Sequence, residues 1–389
     1  MVFLPGRESQ LKPTAVNSVL AEVRAIQAQG HRVVSLMRGE PDFPTPSHIV
    51  EAAIGALRAG RTSYPDNRGE PLLRRAIASK LQRENGVVYD PDYEILVTDG
   101  ATLGIFVAVM ALLNEGDVVL LPDPIYDAYQ SPIRLAGGAV RAVQSALVGG
   151  RFELTRDALE QAWTPQAKLV LLNTPWNPVG TVFRHAELVT IADFVRERGL
   201  FLLSDEIYEH ITYGDHKHFS PAFLLRDRTV LVNSLSKTYA MTGWRVGYCA
   251  APEPLISAML LILQQSSRGP ATFVQDAAAT ALEGPQDAIE AMRRTYAERR
   301  ALVLDRLGAI DGVNVLAPEG GFFAMVDVRE RGLPSNQVRQ QLLKQHGVAV
   351  MHGAAYGPRG EGTLRVSFAS GGKTLDEGLE RLRAGLAAL

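Results

Sequence analysis

A lysine stands where a buried strand should end. The stretch SLSKTYAMTGWRVGY (234–248) follows the apolar run TVLV and holds Lys237 and Arg245, with Gly243 and Gly247 bracketing the arginine. An amine there is either a solvated cap or a nucleophile able to form a Schiff base with a carbonyl. The guanidinium of Arg245 suits a phosphate, whose oxygens it meets as a fork. Ser234 and Ser236 add hydroxyls beside it. In TDGATLG (98–104), Gly100 ends an apolar run and a helix opens at Ala101. Backbone amides at such a helix start, with the hydroxyl of Thr102, suit an anion. A tight turn that merely needs glycine is the other reading of Gly100.

Asp205 closes the apolar run LFLLS. It either caps a helix starting near Glu206 or holds a protonated ring nitrogen. A lysine, a phosphate cradle and such a carboxylate match the carbonyl, phosphate and pyridine nitrogen of pyridoxal phosphate, whose ring works as an electron sink while its nitrogen is protonated. Asn177 and Tyr208 are able to donate to the ring's phenolate oxygen, and Tyr126 offers a flat face for stacking. Arg365 lies inside the apolar pattern TLRVSFA. An arginine is rarely buried without a partner, so it either clamps a substrate carboxylate or faces water from an edge strand.

These residues need a scaffold that gathers them. Residues 14–30 show helical spacing and stop at Gly30; a short strand RVVSL and the proline-rich loop MRGEPDFPTP follow. From residue 46, strand-like runs alternate with helical patterns: EILVTDG, DVVLLPDP, AVRAVQ, KLVLLNTP, LFLLSDE, TVLVNSLSK and WRVGYCAAP. Nearly continuous Val, Ile and Leu mark strands buried on both faces. The alternation predicts an α/β fold, three layers α/β/α around a mostly parallel sheet. Past residue 285 a long charged helix leads into VNVLAPEGGFFAMVDV, VAVMHG and TLRVSFA, which reads as a smaller α+β domain. The expected division is a large domain over 46–284 and a small one from 1–45 and 285–389. In open parallel sheets ligands bind past the carboxyl ends of strands, where Gly100, Ala101, Pro124, Tyr126, Asn177, Asp205, Tyr208, Ser234, Ser236 and Lys237 all fall.

Forty basic residues stand against 42 acidic ones, a formal charge of −2, which gives no electrostatic reason to expect nucleic acid or an anionic membrane. Cys249 is the only cysteine, so no intrachain disulfide forms and a reducing compartment, the cytoplasm, fits. The stretch MVFLPGRESQLKP lacks the apolar core of a signal peptide, and no apolar run approaches the roughly 20 residues of a membrane helix.

The sequence resembles fold-type I, pyridoxal-phosphate-dependent aminotransferases of the class I/II group. GEPDFPTP (39–46), TSYPDNRGEPLLRRAIA (62–78), VTDGAT (97–102), PDPIYDAY (122–129), NTPWNPVG (173–180), SDEIYE (204–209), SLSKTYAMTGWRVGY (234–248) and LRVSF (364–368) carry the resemblance in the family's order. It implies that Lys237 is the Schiff-base lysine and proton shuttle, Asp205 the partner of the pyridinium nitrogen, Asn177 and Tyr208 donors to the ring oxygen, and Tyr126 the stacking aromatic. Gly100, Ala101, Thr102, Ser234, Ser236 and Arg245 fall in phosphate-binding positions. Tyr64 resembles the tyrosine that reaches the phosphate from a neighbouring subunit, which implies a homodimer with shared sites. Arg365 resembles the arginine that clamps the substrate α-carboxylate, with Asn177 and the backbone at Gly39 beside it. The implied reaction is ping-pong transfer of an amino group from an amino acid to a 2-oxo acid.

Departures from the family pattern leave the donor open. Arg38, before Gly39, is either a contact for a second substrate carboxylate or a solvated loop residue. Arg268, in SSRGP, belongs to the subunit interface or to the distal end of the substrate. Trp176, Ile105 and Phe106 favour an aromatic or aliphatic side chain. Carbon–sulfur lyases of the same fold share the lysine, aspartate and arginine and are the competing activity.

Overall fold

The computed structural model describes residue 6, residue 11 and residues 13–389; most of the N-terminal MVFLPGRESQLKP stretch, and with it the start of the 1–45 segment, lies outside the described residues. The central sheet has seven strands: β1 (Ile95–Thr98), β2 (Val118–Asp123), β3 (Ala139–Gln144), β4 (Ala167–Asn173), β5 (Phe201–Asp205), β6 (Thr229–Ser234) and β7 (Gly247–Ala250). Their spatial order is β1-β7-β6-β5-β4-β2-β3. Neighbouring strands from β6 through β5, β4 and β2 to β3 pair in parallel, and β7 runs antiparallel to both β1 and β6. Burial follows the covering layers: β1, at one edge, and β6, inside the sheet, are buried along their whole length, whereas β3, at the other edge, exposes Ala139, Arg141, Ala142 and Gln144. The fold is thus α/β with a mostly parallel sheet, as the alternating pattern predicts.

Helices cover the sheet on both faces. Helix α1 (Ala15–Ala28) lies off that sheet and packs Val19 and Val23 with Met37, Leu343, Ala349 and Met351. Helix α2 (Pro71–Lys80) packs on the β1 side, in one apolar cluster with Val97, Leu231 and Tyr248. Helix α3 (Ala101–Leu112) is apolar nearly all round, as a helix buried between other elements must be, and packs on β5, β6 and β7. The tiny helix α4 (Leu235–Thr238) follows β6, its Ser234 hydroxyl accepting from the Ser236 N–H.

A second, four-stranded antiparallel sheet follows: β8 (Asn314–Leu316), β9 (Phe323–Asp327), β10 (Met351–His352) and β11 (Thr363–Ser367), in the order β8-β9-β11-β10. Its core joins Val326, Leu342, Val366, Phe368 and Leu379 with Val303 and Leu307 of the long helix α5 (Asp287–Gly308). Arg365 lies on β11, between β9 and β10, and is 2% exposed. The edge-strand reading of Arg365 is therefore wrong: β11 has a neighbour on each side.

Candidate active site

The reversed strand assembles the site. Because β7 is antiparallel, its first residue Gly247 pairs with Thr98 on one side and Ser234 on the other, at the carboxyl ends of β1 and β6. Arg245, just before Gly247, and Lys237, just after Ser234, therefore arrive at one edge of the sheet. Asp205 ends β5 and Asn173 ends β4 at the same edge.

Two cavities open there and share a wall. One, of about 690 Å³, is lined by Arg38, Gly39, Ala101, Thr102, Ser234, Ser236, Lys237 and Arg245, among others. The other, of about 340 Å³, is bordered by Tyr126, Asn177, Asp205, Tyr208 and Arg365 and again by Gly39, Ala101, Thr102 and Lys237. Val16, Met37 and Ile207 also line both. Lys237 stands where the two meet.

The phosphate-like end is built by close backbone packing. Gly100 precedes α3 with φ of 85°, and a Cβ there would lie 2.5 Å from Arg245 Nη2. A Cβ on Gly247 would come within 2.8 Å of the Ala101 N and Asn233 O. Only glycine fits both positions, so the α3 N-terminus, Ser234, Ser236 and Arg245 converge. Arg245 has φ of 54° and donates from Nη1 to Thr242 O at 3.0 Å and from Nη2 to Asp99 O at 3.2 Å.

Lys237 donates to Gly39 O at 2.5 Å. Burial lowers its pKa to about 8, with Arg245 acting in the same direction against Glu40 and Asp205. Asp205 is buried, which raises its carboxyl to about 6. Tyr129 O–H donates to Asp205 Oδ2 at 2.7 Å and the Ile207 N–H to Oδ1 at 3.2 Å; both favour the carboxylate. The second of these is the local turn bond that the cap reading of Asp205 anticipates, and it coexists with a place in the cavity wall. Tyr208 is buried edge-on against Phe322 and Phe323, and burial holds its phenol protonated well above the ordinary range.

At the far end Arg365 meets no carboxylate among the described residues. Its Nη1 reaches Asn177 Oδ1 at 3.4 Å and its Nη2 Met37 O at 3.5 Å, while its buried Nε has no partner among them. Phe323 and Tyr356 lie 4.1 and 4.9 Å from the guanidinium carbon. A buried cation so weakly satisfied stands to gain from an anion.

Tyr64 is elsewhere. It is 89% exposed and shares a separate hollow of about 490 Å³ with Arg268. Trp176 lines neither cavity: it stacks on Phe183 and donates to Pro124 O at 2.8 Å, so it belongs to the core and does not narrow the pocket. Ile105 lines the second cavity, whereas Phe106 lines neither. Arg38 is exposed and pairs with Glu40 at 3.4 Å. Sequence reasoning missed Tyr129 and Asn173. Tyr129 closes the quoted PDPIYDAY, three residues after Tyr126; Asn173 opens NTPWNPVG, and its Nδ2 donates to Asp205 O at 3.0 Å.

A doubly covered sheet with a lysine, a buried carboxylate and a glycine-packed helix start beside Arg245 at its carboxyl edge suits a phosphate-bearing cofactor. Residues 31–382 match the family "Aminotransferase class I and II", and the chain belongs to that family. It is 39% identical to a probable aspartate/prephenate aminotransferase of Aquifex aeolicus over 98% of both chains, and 41% identical to an aspartate aminotransferase of Pyrococcus abyssi over 90% of both. The solved structure of Thermus thermophilus aspartate aminotransferase with maleate superposes with a TM-score of 0.93 at 36% identity, covering 99% of this chain and 100% of that one. The protein is a pyridoxal-phosphate-dependent aminotransferase of fold type I. The lyase alternative is not favoured. Among the described residues no helix is long and apolar enough to cross a membrane.

Proposed function

We propose that Lys237 is the amine that holds pyridoxal phosphate and then carries the proton of the reaction. The observation that carries this reading is the half-buried Lys237 amine, at the junction of a phosphate-like cradle and the anion-poor Arg365. The cofactor, when bound, supplies a carbonyl and an electron sink. Gly100, Ala101, Thr102, Ser234, Ser236 and Arg245 would hold its phosphate, and glycine at 100 and 247 lets Arg245 and the Ala101 and Asn233 backbones close up beside one another. Asp205, oriented by Tyr129, would pair as carboxylate with the ring nitrogen; Tyr208 and Asn177 would donate to the ring oxygen, and Tyr126 would stack on the ring. Arg365, with Asn177 and the Gly39 backbone, binds the α-carboxylate and so orients the Cα proton toward Lys237 Nζ. With its pKa lowered to about 8, Lys237 has a neutral fraction near working pH, as a general base requires.

The donor best supported is a dicarboxylic amino acid: the relatives named above are aspartate or aspartate/prephenate aminotransferases, and Arg38 stands in the cavity wall. An aromatic or aliphatic donor is the second reading, favoured by Val16, Leu20, Met37, Ile105 and Phe323 in the same walls. Adding single amino acids to the purified holoenzyme without acceptor separates them: the true donor converts the cofactor spectrum and releases its 2-oxo acid. No response to any amino acid would sink the reading.

The exposed Tyr64 beside Arg268 supports a homodimer in which Tyr64 completes the partner's phosphate site. The separate sheets, and the pairing of Val34–Ser35 with Val348–Ala349, support domains at 46–284 and at 1–45 with 285–389. A cytoplasmic location rests on the single, buried Cys249.

A further inference from the structure

Helix α2 continues into a π-helical turn, Leu81–Asn85, before the left-handed Gly86. A π turn sets residues i and i+5 on one face, and such turns occur often at functional sites. Here it aligns Lys80, Glu84 and Asn85: Lys80 Nζ donates to Asn85 Oδ1 at 2.8 Å and lies 3.7 Å from Glu84. Lys80 is buried and also donates to the buried Glu209 Oε1, and Asn85 Nδ2 donates to Glu209 Oε2 at 3.0 Å. Burial works to raise the Glu209 carboxyl, but Lys80 and the neighbouring histidines outweigh it and hold it well below the usual carboxylate range.

Glu209 passes this anchoring on. Its Oε1 accepts from Asn233 Nδ2 at 2.6 Å, and Asn233 Oδ1 accepts from the Ser234 N–H at 2.7 Å. Ser234 Oγ then accepts from the Ser236 N–H at 3.0 Å. A second chain leaves the same π turn: Glu84 Oε2 meets His210 Nε2 at 3.0 Å, and His210 Nδ1 meets Thr238 Oγ1 at 3.3 Å. Both ends of the segment 234–238, which carries Lys237, are thus tied to one turn.

We infer that Lys80, Glu209 and Asn233 are positioning residues, which use the π turn as a fixed base to set the Ser234–Ser236 phosphate donors. The inference rests on the phosphate reading of Ser234 and Ser236. Lys80 and Glu209 line neither cavity of the site and act through Asn233.

Removing one member of a buried ion pair leaves an uncompensated charge, so the pair is changed together. Lys80→Met/Glu209→Leu removes both charges and the acceptor for Asn233. Lys80→Met/Glu209→Gln removes both charges and keeps an acceptor oxygen. The readout is the dissociation constant of the cofactor-stripped protein for pyridoxal phosphate and for pyridoxal, which lacks the phosphate. The expected result is about tenfold weaker pyridoxal phosphate binding in the leucine variant, unchanged pyridoxal binding, and a glutamine variant within about threefold of wild type. Equal pyridoxal phosphate affinities in all three proteins, or equal losses in both variants, would overturn the inference. Should the leucine variant not fold, Asn233→Ala breaks the same link without disturbing the ion pair and must show the same selective loss; an unchanged preference there overturns it too. A wild-type protein that does not prefer pyridoxal phosphate over pyridoxal would defeat the phosphate reading itself, a different result from these.

Discussion

Two arginines sit at opposite ends of one site and are built in opposite ways. Arg245 is exposed, and each of its two terminal nitrogens gives one N–H to a carbonyl, of Thr242 or Asp99, and keeps a second N–H for a ligand. Arg365 is buried, its oxygen contacts are long, and its Nε has none among the described residues. Water satisfies an exposed guanidinium at little cost, so Arg245 is fixed by backbone contacts and serves as a rigid post. In a dry core an unpaired guanidinium is costly, so Arg365 gains most when a carboxylate arrives. The rings of Phe323 and Tyr356 hold Arg365 without occupying its N–H edge. A permanent ligand suits the first design, and a substrate that must enter and leave suits the second.

The lysine between them is the first thing to remove. Lys237→Ala should lower turnover by about four orders of magnitude or more in a paired amino-acid and 2-oxo-acid assay; surviving activity would detach both arginines from the chemistry. Arg365→Lys keeps the charge and loses the fork, so kcat/KM should fall about a hundredfold or more while cofactor binding is unchanged. Arg245→Ala should do the reverse: about tenfold or greater loss of pyridoxal phosphate affinity, with the amino-acid KM unaltered at saturating cofactor. Equal effects of the two arginine variants on both constants would erase the contrast. The amine adds a pH test. Because its pKa is lowered to about 8, the neutral form grows as pH rises through that value. Capture of pyridoxal phosphate by the stripped protein should accelerate over the same range and level off above it, as stopped-flow absorbance would show. The smallest effect belongs to Arg38→Ala. Its partner Glu40 is exposed, so stability should hardly change, and KM should rise only for aspartate and glutamate, by about fivefold or less. A uniform rise across donors would return Arg38 to a purely structural loop role.

Much of this was legible in the chain. The runs KLVLLN, LFLLSD and TVLVNS became β4, β5 and β6, because strands covered on both faces must be apolar throughout. The polar residues after them were legible as a site because a parallel sheet gathers its strand ends. The reversal of β7 was not legible, since GYCA reads the same in either direction, and only pairing shows that Arg245 enters from the Lys237 side. Trp176 misled because burial against Phe183 and burial against a ligand leave the same mark in sequence. Tyr129 was hidden by its neighbour Tyr126: both are tyrosines after the same prolines, and only the 2.7 Å bond to Asp205 tells them apart. The π turn carries no compositional signature, so Lys80 and Glu209, 129 residues apart, could not be paired beforehand.

The strand order has a thermodynamic consequence. The groups proposed to hold the cofactor's phosphate and ring nitrogen come from the ends of β1, β5 and β6 and the start of β7, four strands whose mutual pairing forms half of the central sheet. A ligand that grips all four at once binds only when they are docked, so it acts as a cross-link on the folded state. At a thousandfold excess over its dissociation constant, a ligand of this kind adds about 4 kcal/mol to unfolding. Loss of cofactor would then loosen the very sheet that must be ordered to recapture it, and the melting temperature would track cofactor supply.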